Sequence, residues 1–137
     1  MATMFPCEVM TPEGAAFTGE VEMVSTRSTI GSLGIRANHE PIMTMLDPTE
    51  LRLYTSETEI VRFAQGEGYL QMAQNHALLL VEEAIPVAEL DAAALQTQLD
   101  EAEARREAAE AGSAALERAE RDVRRATRYL EIANNAS

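Results

Sequence analysis

The sequence predicts an α+β protein, in which an N-terminal antiparallel β-sandwich (residues 1–87) is followed by a C-terminal hairpin of two antiparallel helices (residues 88–137). Two observations support this division. Short apolar or alternating segments separated by turn residues fill the first part, which is typical of an antiparallel sandwich or barrel. Pro86 is the last of the five prolines, and the residues after it are mostly alanine, glutamate and arginine, which favour helix.

Alternating and apolar segments predict the strands of the first part. Val21 and Met23 alternate with glutamates, and residues 60–63 and 77–81 form short apolar runs. Turn-forming residues separate these segments, at positions 11–14, 31–34, 47–48 and 66–68. No helical periodicity intervenes, so we expect the strands to be joined by turns.

Capping residues define the two predicted helices, which cover residues 91–111 and 114–133. Asp91 can cap the first helix, because a short acidic side chain accepts hydrogen bonds from free backbone amides. Gly112 and Ser113 interrupt the helical pattern, since glycine suits the end of one helix and serine the start of the next. The short break between the helices favours an antiparallel hairpin.

The second predicted helix carries two stripes of opposite character. Its apolar stripe steps by three and four residues and comprises Leu116, Ala119, Val123, Ala126, Leu130 and Ala133. Arginines with the same spacing occupy the opposite side; they are Arg118, Arg121, Arg125 and Arg128, with Arg124 beside them. One interpretation is a solvated face paired with neighbouring acids. The segregation of arginine within an acidic protein favours the other, a surface that binds carboxylates.

The first predicted helix has a thinner apolar seam. It consists of Leu95, Leu99, Ala102 and Ala109 and is interrupted by Arg106. Because alanine buries little apolar area, pairs of alanines contribute little to packing. We therefore expect the helical hairpin to be weakly held and able to detach or straighten.

Charge and composition exclude several functions. The net charge is −12, and residues 1–86 contain 12 acidic residues and 4 arginines, so nucleic acid is not an expected partner. All 11 basic residues are arginine. Phosphate loops of the Walker type and Schiff-base chemistry both need lysine and are excluded. The longest apolar run, residues 77–81, is too short to span a membrane, so any membrane association is expected to come through a partner.

Residues capable of catalysis or metal binding are few and scattered. His39 and His76 are the only histidines and Cys7 is the only cysteine, without the spacing of a metal site. The serines near His39 do not form a nucleophile elbow. The two glycine pairs, at residues 31–34 and 66–68, are more typical of hairpin turns than of phosphate cradles. We therefore expect a binding or mechanical role, with no catalytic residue, metal or cofactor.

The segment of residues 31–44 resembles a motif of the epsilon subunits of bacterial and chloroplast F-type ATP synthases. The matching positions include Gly31, Gly34, Ile35, His39 and Pro41. Residues 17–21, 47–52 and 66–70 resemble further family segments in the same order, and residues 124–128 resemble the basic run near the C-terminus of chloroplast and cyanobacterial members. The resemblance extends over nearly the whole chain.

This resemblance implies a non-catalytic subunit of the rotor. In the family, the sandwich binds the gamma subunit at the foot of the central stalk, which couples proton flow to ATP synthesis. One turn faces the ring of membrane c subunits; here it corresponds to Arg27, Ser28, Thr29, Ile30, Gly31 and Ser32. Family members often have an acidic residue where this chain has Ser32. The implied location is peripheral, on the cytoplasmic face of the plasma membrane or the stromal or cytosolic face of a thylakoid membrane.

The resemblance also gives the helical tail a regulatory role. In the family it can insert among the alpha and beta subunits and inhibit ATP hydrolysis, with arginines meeting an acidic loop of a beta subunit. Arg118, Arg121, Arg124, Arg125 and Arg128 are the corresponding candidates. Some members bind ATP at the start of the first helix. Leu90 and Asp91 match that motif, but Ala94 replaces its arginine, so we do not expect ATP to bind.

Two alternatives remain from the sequence. The first is an unrelated β-sandwich interaction module with a coiled-coil tail, which would share the fold but bind a different partner. The second is a small hydrolase in which His39 or His76 converges with a serine and an acid.

Overall fold

The computed structural model describes residues 3–136 and divides into two compact units. The first unit ends at Pro86 and the second begins at Val87, one residue before the division expected from the sequence.

The first unit consists of β-strands. In chain order these are β1 Phe5–Thr11, β2 Gly14–Val21, β3 Met23–Ser28, β4 Gly31–Arg36, β5 Ile42–Leu46, β6 Thr49–Tyr54, β7 Ile60–Gln65, β8 Gly68–Ala73, β9 His76–Val81 and β10 Ala84–Pro86. The connections are short, as the turn residues predict. The β8–β9 hairpin, for example, turns through Gln74 and Asn75, both with positive φ.

The strands form one folded-over sheet. Its order is β10-β7-β6-β3-β5-β8-β9-β1-β2, with β4 paired to β3. The pair Ser28↔Leu46 joins β3 to β5 at the corner between the two layers. The predicted antiparallel sandwich is confirmed, with one exception: β1 and β9 run parallel. These two strands are far apart in the sequence and are not joined by a turn, so a parallel direction is open to them.

Alternate residues of both layers point inward and form the core. The buried apolar residues include Phe5, Val9, Val24, Ile35, Leu51, Leu53, Leu70, Met72 and Leu79. Cys7 also lies in this core, and burial, followed by the charge of Glu8, raises the pKa of its thiol to about 12. The thiol is therefore protonated at neutral pH and unreactive.

One buried polar network connects the core to the loop that follows β5. The Thr26 hydroxyl donates to Gln65 Oε1, and Gln65 Nε2 donates to the carbonyl oxygens of Asp47 and Gly66, each at 2.9 Å. The Asp47 amide in turn donates to the Arg27 carbonyl at 3.1 Å. A fully buried glutamine thus holds the segment beside the β3–β4 turn with all its polar atoms satisfied.

The second unit contains a short 3₁₀ helix, Val87–Glu89, and two α-helices, α1 Ala92–Ala108 and α2 Ala114–Ala136. The predicted N-terminal caps of both helices are confirmed. Asp91 accepts from the amides of Ala93 and Ala94 at 3.0 and 3.2 Å, and Ser113 Oγ accepts from the Leu116 amide at 3.1 Å. The prediction that Gly112 caps the end of α1 is wrong, because the C-cap is Ala109; Gly112 lies in the turn that follows, with a φ of +77° that glycine adopts easily.

The helix bounds differ from the prediction at their C-terminal ends. α1 ends at Ala108 rather than at residue 111, because Ser113 draws the preceding backbone into a turn. Its amide and hydroxyl both donate to the Glu110 carbonyl, at 3.2 and 2.7 Å. α2 continues to Ala136, three residues beyond the predicted end.

Three of the six buried residues described on the two helices are alanines. Leu95 and Ala102 are buried on α1, and Ala119 and Ala126 on α2, as the two apolar seams predict. Tyr129 and Ile132 are also buried, although they follow Arg125 and Arg128 by four residues and belong to the arginine rows. An ion pair of 3.1 Å between Arg105 and Asp122 links the two helices.

Candidate interaction surfaces

A tight hairpin turn projects one isoleucine from the first unit. Arg27 pairs with Ser32 and Ser28 with Gly31, leaving Thr29 and Ile30 at the tip. Ser28 is buried; its hydroxyl donates to the Gly31 carbonyl at 3.0 Å and accepts from the Ile30 amide at 3.3 Å. The Ile30 side chain is 94% exposed.

Two further bonds fix this turn to the neighbouring strand. The Thr29 amide donates to the Met45 carbonyl at 3.1 Å, and the Asp47 amide donates to the Arg27 carbonyl, also at 3.1 Å. Gly31 has a φ of +142°, which a side chain would strain. The tip therefore presents an apolar knob, with the exposed Arg27 and Ser32 behind it and without a carboxylate of its own.

The motif residues around this turn have structural positions. Ile35 is fully buried, and Gly34 lies on the outer side of β4 opposite Ser25. His39 lies in the β4–β5 loop, where its Nδ1 is 2.7 Å from the Glu40 carbonyl, and Pro41 precedes β5. The Asn38 amide donates to Asn75 Oδ1 at 2.7 Å, which ties this loop to the β8–β9 turn.

An apolar surface covers the outer side of β5, β8 and β9. Met43, Met45, Tyr69 and Leu80 are 69%, 54%, 51% and 50% exposed. The register places Met45 beside Tyr69 and Tyr69 beside Leu80. Together with Gln71 and Leu78, three of these residues line a shallow depression of about 280 Å³. We call Met43, Met45, Tyr69, Leu78 and Leu80 the apolar face.

The sequence-based predictions did not include this face, although its signal was present. Residues 77–81, and residues 42–46 apart from Thr44, are apolar at successive positions. A strand that is apolar on both sides is covered on both sides. One side of each run packs in the core, so the other side requires a covering partner.

The α2 arginines separate into two groups. Arg118, Arg121 and Arg124 are exposed, whereas Arg125 and Arg128 are half-buried. Arg128 pairs with Glu131 at 2.9 Å. The first group is the part of the stripe that is most accessible to a partner.

The residues matching the ATP motif are engaged in local structure. The Asp91 carboxylate caps α1 through two backbone amides, and the Leu90 amide donates to the Val87 carbonyl at 3.2 Å. These contacts give both residues a structural role at the start of α1.

The described part of the chain, residues 3–136, contains no cluster of three or more His, Cys, Asp or Glu residues suited to a metal ion. His39 bonds its neighbouring carbonyl, and His76 Nε2 lies 3.3 Å from Glu8 Oε1. The hydrolase alternative needs a histidine that bonds a serine, which neither contact provides. Within the same residues, no helix is long and apolar enough to cross a membrane.

Comparisons with known proteins agree with the residue pattern. Residues 4–87 match the family described as ATP synthase, Delta/Epsilon chain, beta-sandwich domain. The ATP synthase epsilon chain of Persephonella marina is 37% identical over 131 residues, covering 95% of this chain and 96% of that protein. The ATP synthase epsilon chain of Halalkalibacterium halodurans is 30% identical over 125 residues, covering 91% and 93%.

Solved structures share the fold at low sequence identity. A chain of the Euglena gracilis mitochondrial ATP synthase (OSCP/F1/c-ring) has a TM-score of 0.78 and 19% identity, covering 99% of this chain and 82% of its own length. A chain of the Tetrahymena thermophila mitochondrial ATP synthase (central stalk/c-ring) has a TM-score of 0.60 and 18% identity, covering 98% and 97%.

Proposed function

The chain belongs to the ATP synthase delta/epsilon family, and from this premise we propose that it is a non-catalytic rotor subunit of an F-type ATP synthase. In this role the first unit links the gamma subunit to the c-ring, so that rotation driven by proton flow reaches the sites of ATP synthesis. The alternative of an unrelated interaction module does not account for a family match that extends along the chain.

The apolar face is the observation that carries this proposal. Four of its large side chains are at least half exposed, and complete burial of such a side chain stabilises an association by about 1.5–3 kcal/mol. Burying the exposed half of all four would contribute about 3–6 kcal/mol before the entropic cost of association. A permanent partner such as gamma would cover this face and remove the risk of aggregation.

The β3–β4 turn is the proposed contact with the c-ring. Ile30 and the absence of a carboxylate at the tip support an apolar contact, rather than the charged contact that an acid at position 32 would make. Such a contact is weakly sensitive to salt, because screening acts on charges. The bonds from Met45 and Asp47 hold the tip rigid, which suits the transfer of torque.

A reconstitution experiment tests the role in the rotor. The chain is removed from the synthase and replaced by Met45→Glu/Leu80→Glu, with Thr58→Glu in the exposed β6–β7 connection as the matched control. We expect the double variant to lose at least tenfold in affinity for the complex and to lower ATP-driven proton pumping, because a charge on an apolar interface is costly. Normal binding and pumping by the double variant would contradict the proposal.

We also propose that α2 inhibits ATP hydrolysis by contacting the alpha and beta subunits. The exposed Arg118, Arg121 and Arg124 support this role, since guanidinium groups suit bidentate contacts with carboxylates. Replacing these three by alanine, or deleting residues 88–137, should raise the ATPase activity of the complex. Arg106→Ala on α1 is the control, and unchanged hydrolysis in both test variants would remove the inhibitory assignment.

The remaining proposals concern ATP and location. Asp91 caps α1 and Ala94 lacks the charge of the motif arginine, so calorimetry should detect no micromolar binding of ATP. As a subunit of the rotor, the chain would be peripheral to the membrane. It would lie on the cytoplasmic face of a plasma membrane, or on the stromal or cytosolic face of a thylakoid membrane. Protease protection of the chain in sealed vesicles of known orientation tests that side.

A further inference from the structure

All four arginines of residues 1–86 lie on one outer face of the sandwich. Outward positions alternate along β3, β4, β6 and β7, and the register joins them into rows across these strands. Arg36 is in one row, Arg52 and Arg62 are in the next, and Arg27 is in the third. We call this set the arginine face; it lies on the layer opposite the apolar face.

The arginine face has a charge opposite to that of the unit that carries it. Of the 12 acidic residues in residues 1–86, only Glu50 points outward from these four strands, and its side chain is 13% exposed. Glu50 pairs with Arg52 and lies 3.9 Å from Arg62. Within residues 3–136, the side chains of Arg27 and Arg36 form no ion pair.

This arrangement opposes folding. Arg52 and Arg62 are directly opposite on adjacent antiparallel strands, and like charges in this position are destabilising. Glu50 offsets one of the two positive charges. A net positive surface that folding does not require indicates a role in binding an anionic partner.

The spacing of the arginines defines the class of that partner. Arg27 pairs with Ser32, four residues along β4 from Arg36, so their backbones are roughly 13 Å apart at about 3.3 Å per residue. This exceeds the screening length of about 8 Å at physiological salt, and one small anion cannot meet both ends. Several anionic groups on an extended or helical segment can.

The neighbouring residues favour carboxylates on a protein. Met23, Tyr54 and Ile60 form the row that contains Arg36, and arginine mixed with tyrosine and methionine is typical of protein interfaces. A phosphate polymer would also meet the remaining acidic residues of the unit and be repelled. Aspartate and glutamate can accept two hydrogen bonds from each guanidinium.

We propose that the arginine face binds an acidic segment of a partner protein, whose aspartates or glutamates pair with Arg27, Arg36, Arg52 and Arg62. The proposal goes beyond the rotor assignment. The arginine face and the apolar face lie on opposite layers, and of the four arginines only Arg27 also borders the turn proposed to contact the c-ring.

Photo-crosslinking in native membranes tests this inference. Ser25 lies at the centre of the face, between Gly34 and Arg52, and is replaced by p-benzoylphenylalanine in the full chain. We expect a crosslinked peptide that contains clustered Asp or Glu, mapped by mass spectrometry. Its yield should fall at least about fivefold in R27Q/R36Q/R52Q/R62Q and in high salt, and should largely persist when all four are replaced by lysine.

Two further variants control for charge and folding. R105Q/R106Q makes the same change of charge as R27Q/R36Q, but on α1, and should leave the yield unchanged. If the fourfold variant does not fold, R27Q/R36Q removes two arginines without an ion pair and should still lower the yield. The proposal is overturned if no crosslink forms, if it forms only to lipid or to a segment without acidic residues, or if its yield is unaffected by the substitutions.

Discussion

Replacing Gln65 by leucine should destabilise the first unit by about 3–6 kcal/mol. Gln65 is fully buried and makes three hydrogen bonds, to Thr26, Asp47 and Gly66. Leucine has a similar volume but leaves the Thr26 hydroxyl and the Gly66 carbonyl buried, and the Asp47 carbonyl part-buried, without their partner. Each buried unsatisfied group costs about 1–3 kcal/mol and the part-buried one about 1 kcal/mol at most, so the total is a large fraction of the usual stability of about 5–15 kcal/mol.

Urea unfolding of the full chain measures this effect. At a slope of about 1 kcal/mol per molar urea for a unit of this size, the midpoint should fall by about 3 M or more. Adding Thr26→Val removes one of the unsatisfied groups and should recover about 1–2 kcal/mol, so the two substitutions are not additive. The Thr29 amide should also exchange faster, because Asp47 no longer anchors the segment beside the turn.

The control for this experiment is Gln71→Leu, an exposed glutamine on β8, which should change stability by less than about 0.5 kcal/mol. A loss below about 1 kcal/mol for Gln65→Leu would refute the reasoning, because it would mean that the buried groups find other partners. Equal losses for Gln65→Leu and the double variant would refute the assignment of the Thr26 bond.

Three further predictions concern single residues. Gly68→Ala should destabilise the pairing of β8 and β9 by more than about 2 kcal/mol, since the added Cβ would overlap the Leu80 carbonyl and strain the backbone. The control is Gly34→Ala, whose Cβ would lie 4.0 Å from Met23. Thermal melting of the two variants measures the difference. Asp91→Ala should cost about 1 kcal/mol by removing the α1 cap; amide exchange of residues 92–95 measures this, and unchanged exchange would contradict it. Because burial raises the pKa of Cys7 to about 12, stability should be fully present below about pH 9 and decline towards pH 12; a Cys7→Ala variant should lose this decline, and iodoacetamide should label Cys7 only after unfolding.

The sequence predicts the local features of this fold well. Alternation and turn residues identify the sandwich, and Asp91 and Ser113 identify the starts of both helices, because caps depend on neighbours within three residues. The end of α1 was predicted incorrectly, since residues 109–111 are good helix formers. Their propensity is overridden by the turn that Ser113 requires.

Long-range features could not be predicted in the same way. The parallel pairing of β1 with β9 joins residues about 70 positions apart and has no local signal. Glutamine is usually exposed, and the burial of Gln65 depends on three hydrogen-bonding groups that only the fold brings together. Tyr129 and Ile132 continue the arginine rows of α2, and the apolar stripe predicted from the sequence did not include them.

Among the interaction surfaces, too, local features could be predicted from the sequence and long-range features could not. The Ile30 turn was located from a motif, whereas the apolar face required knowing which side of each strand meets the core. The arginine face was less visible still, because Arg27, Arg36, Arg52 and Arg62 are scattered through four strands. Their alignment follows from register, which a shift of one residue in any strand would destroy.

The two units differ in how they are stabilised, and this difference bears on regulation. Two sheet layers of the first unit enclose aromatic, aliphatic and methionine side chains with a satisfied polar network, so local opening there exposes a large apolar area. On α1, only Leu95 and Ala102 are buried among the described residues, and two of the four buried residues on α2 are alanines. Three of these six buried residues are alanines, so the buried positions of the helices contribute less apolar area per residue than those of the sandwich, at about 25 cal/mol per Å². A sandwich that resists opening suits the proposed rotor contact, and less strongly held helices suit the proposed conditional inhibitor.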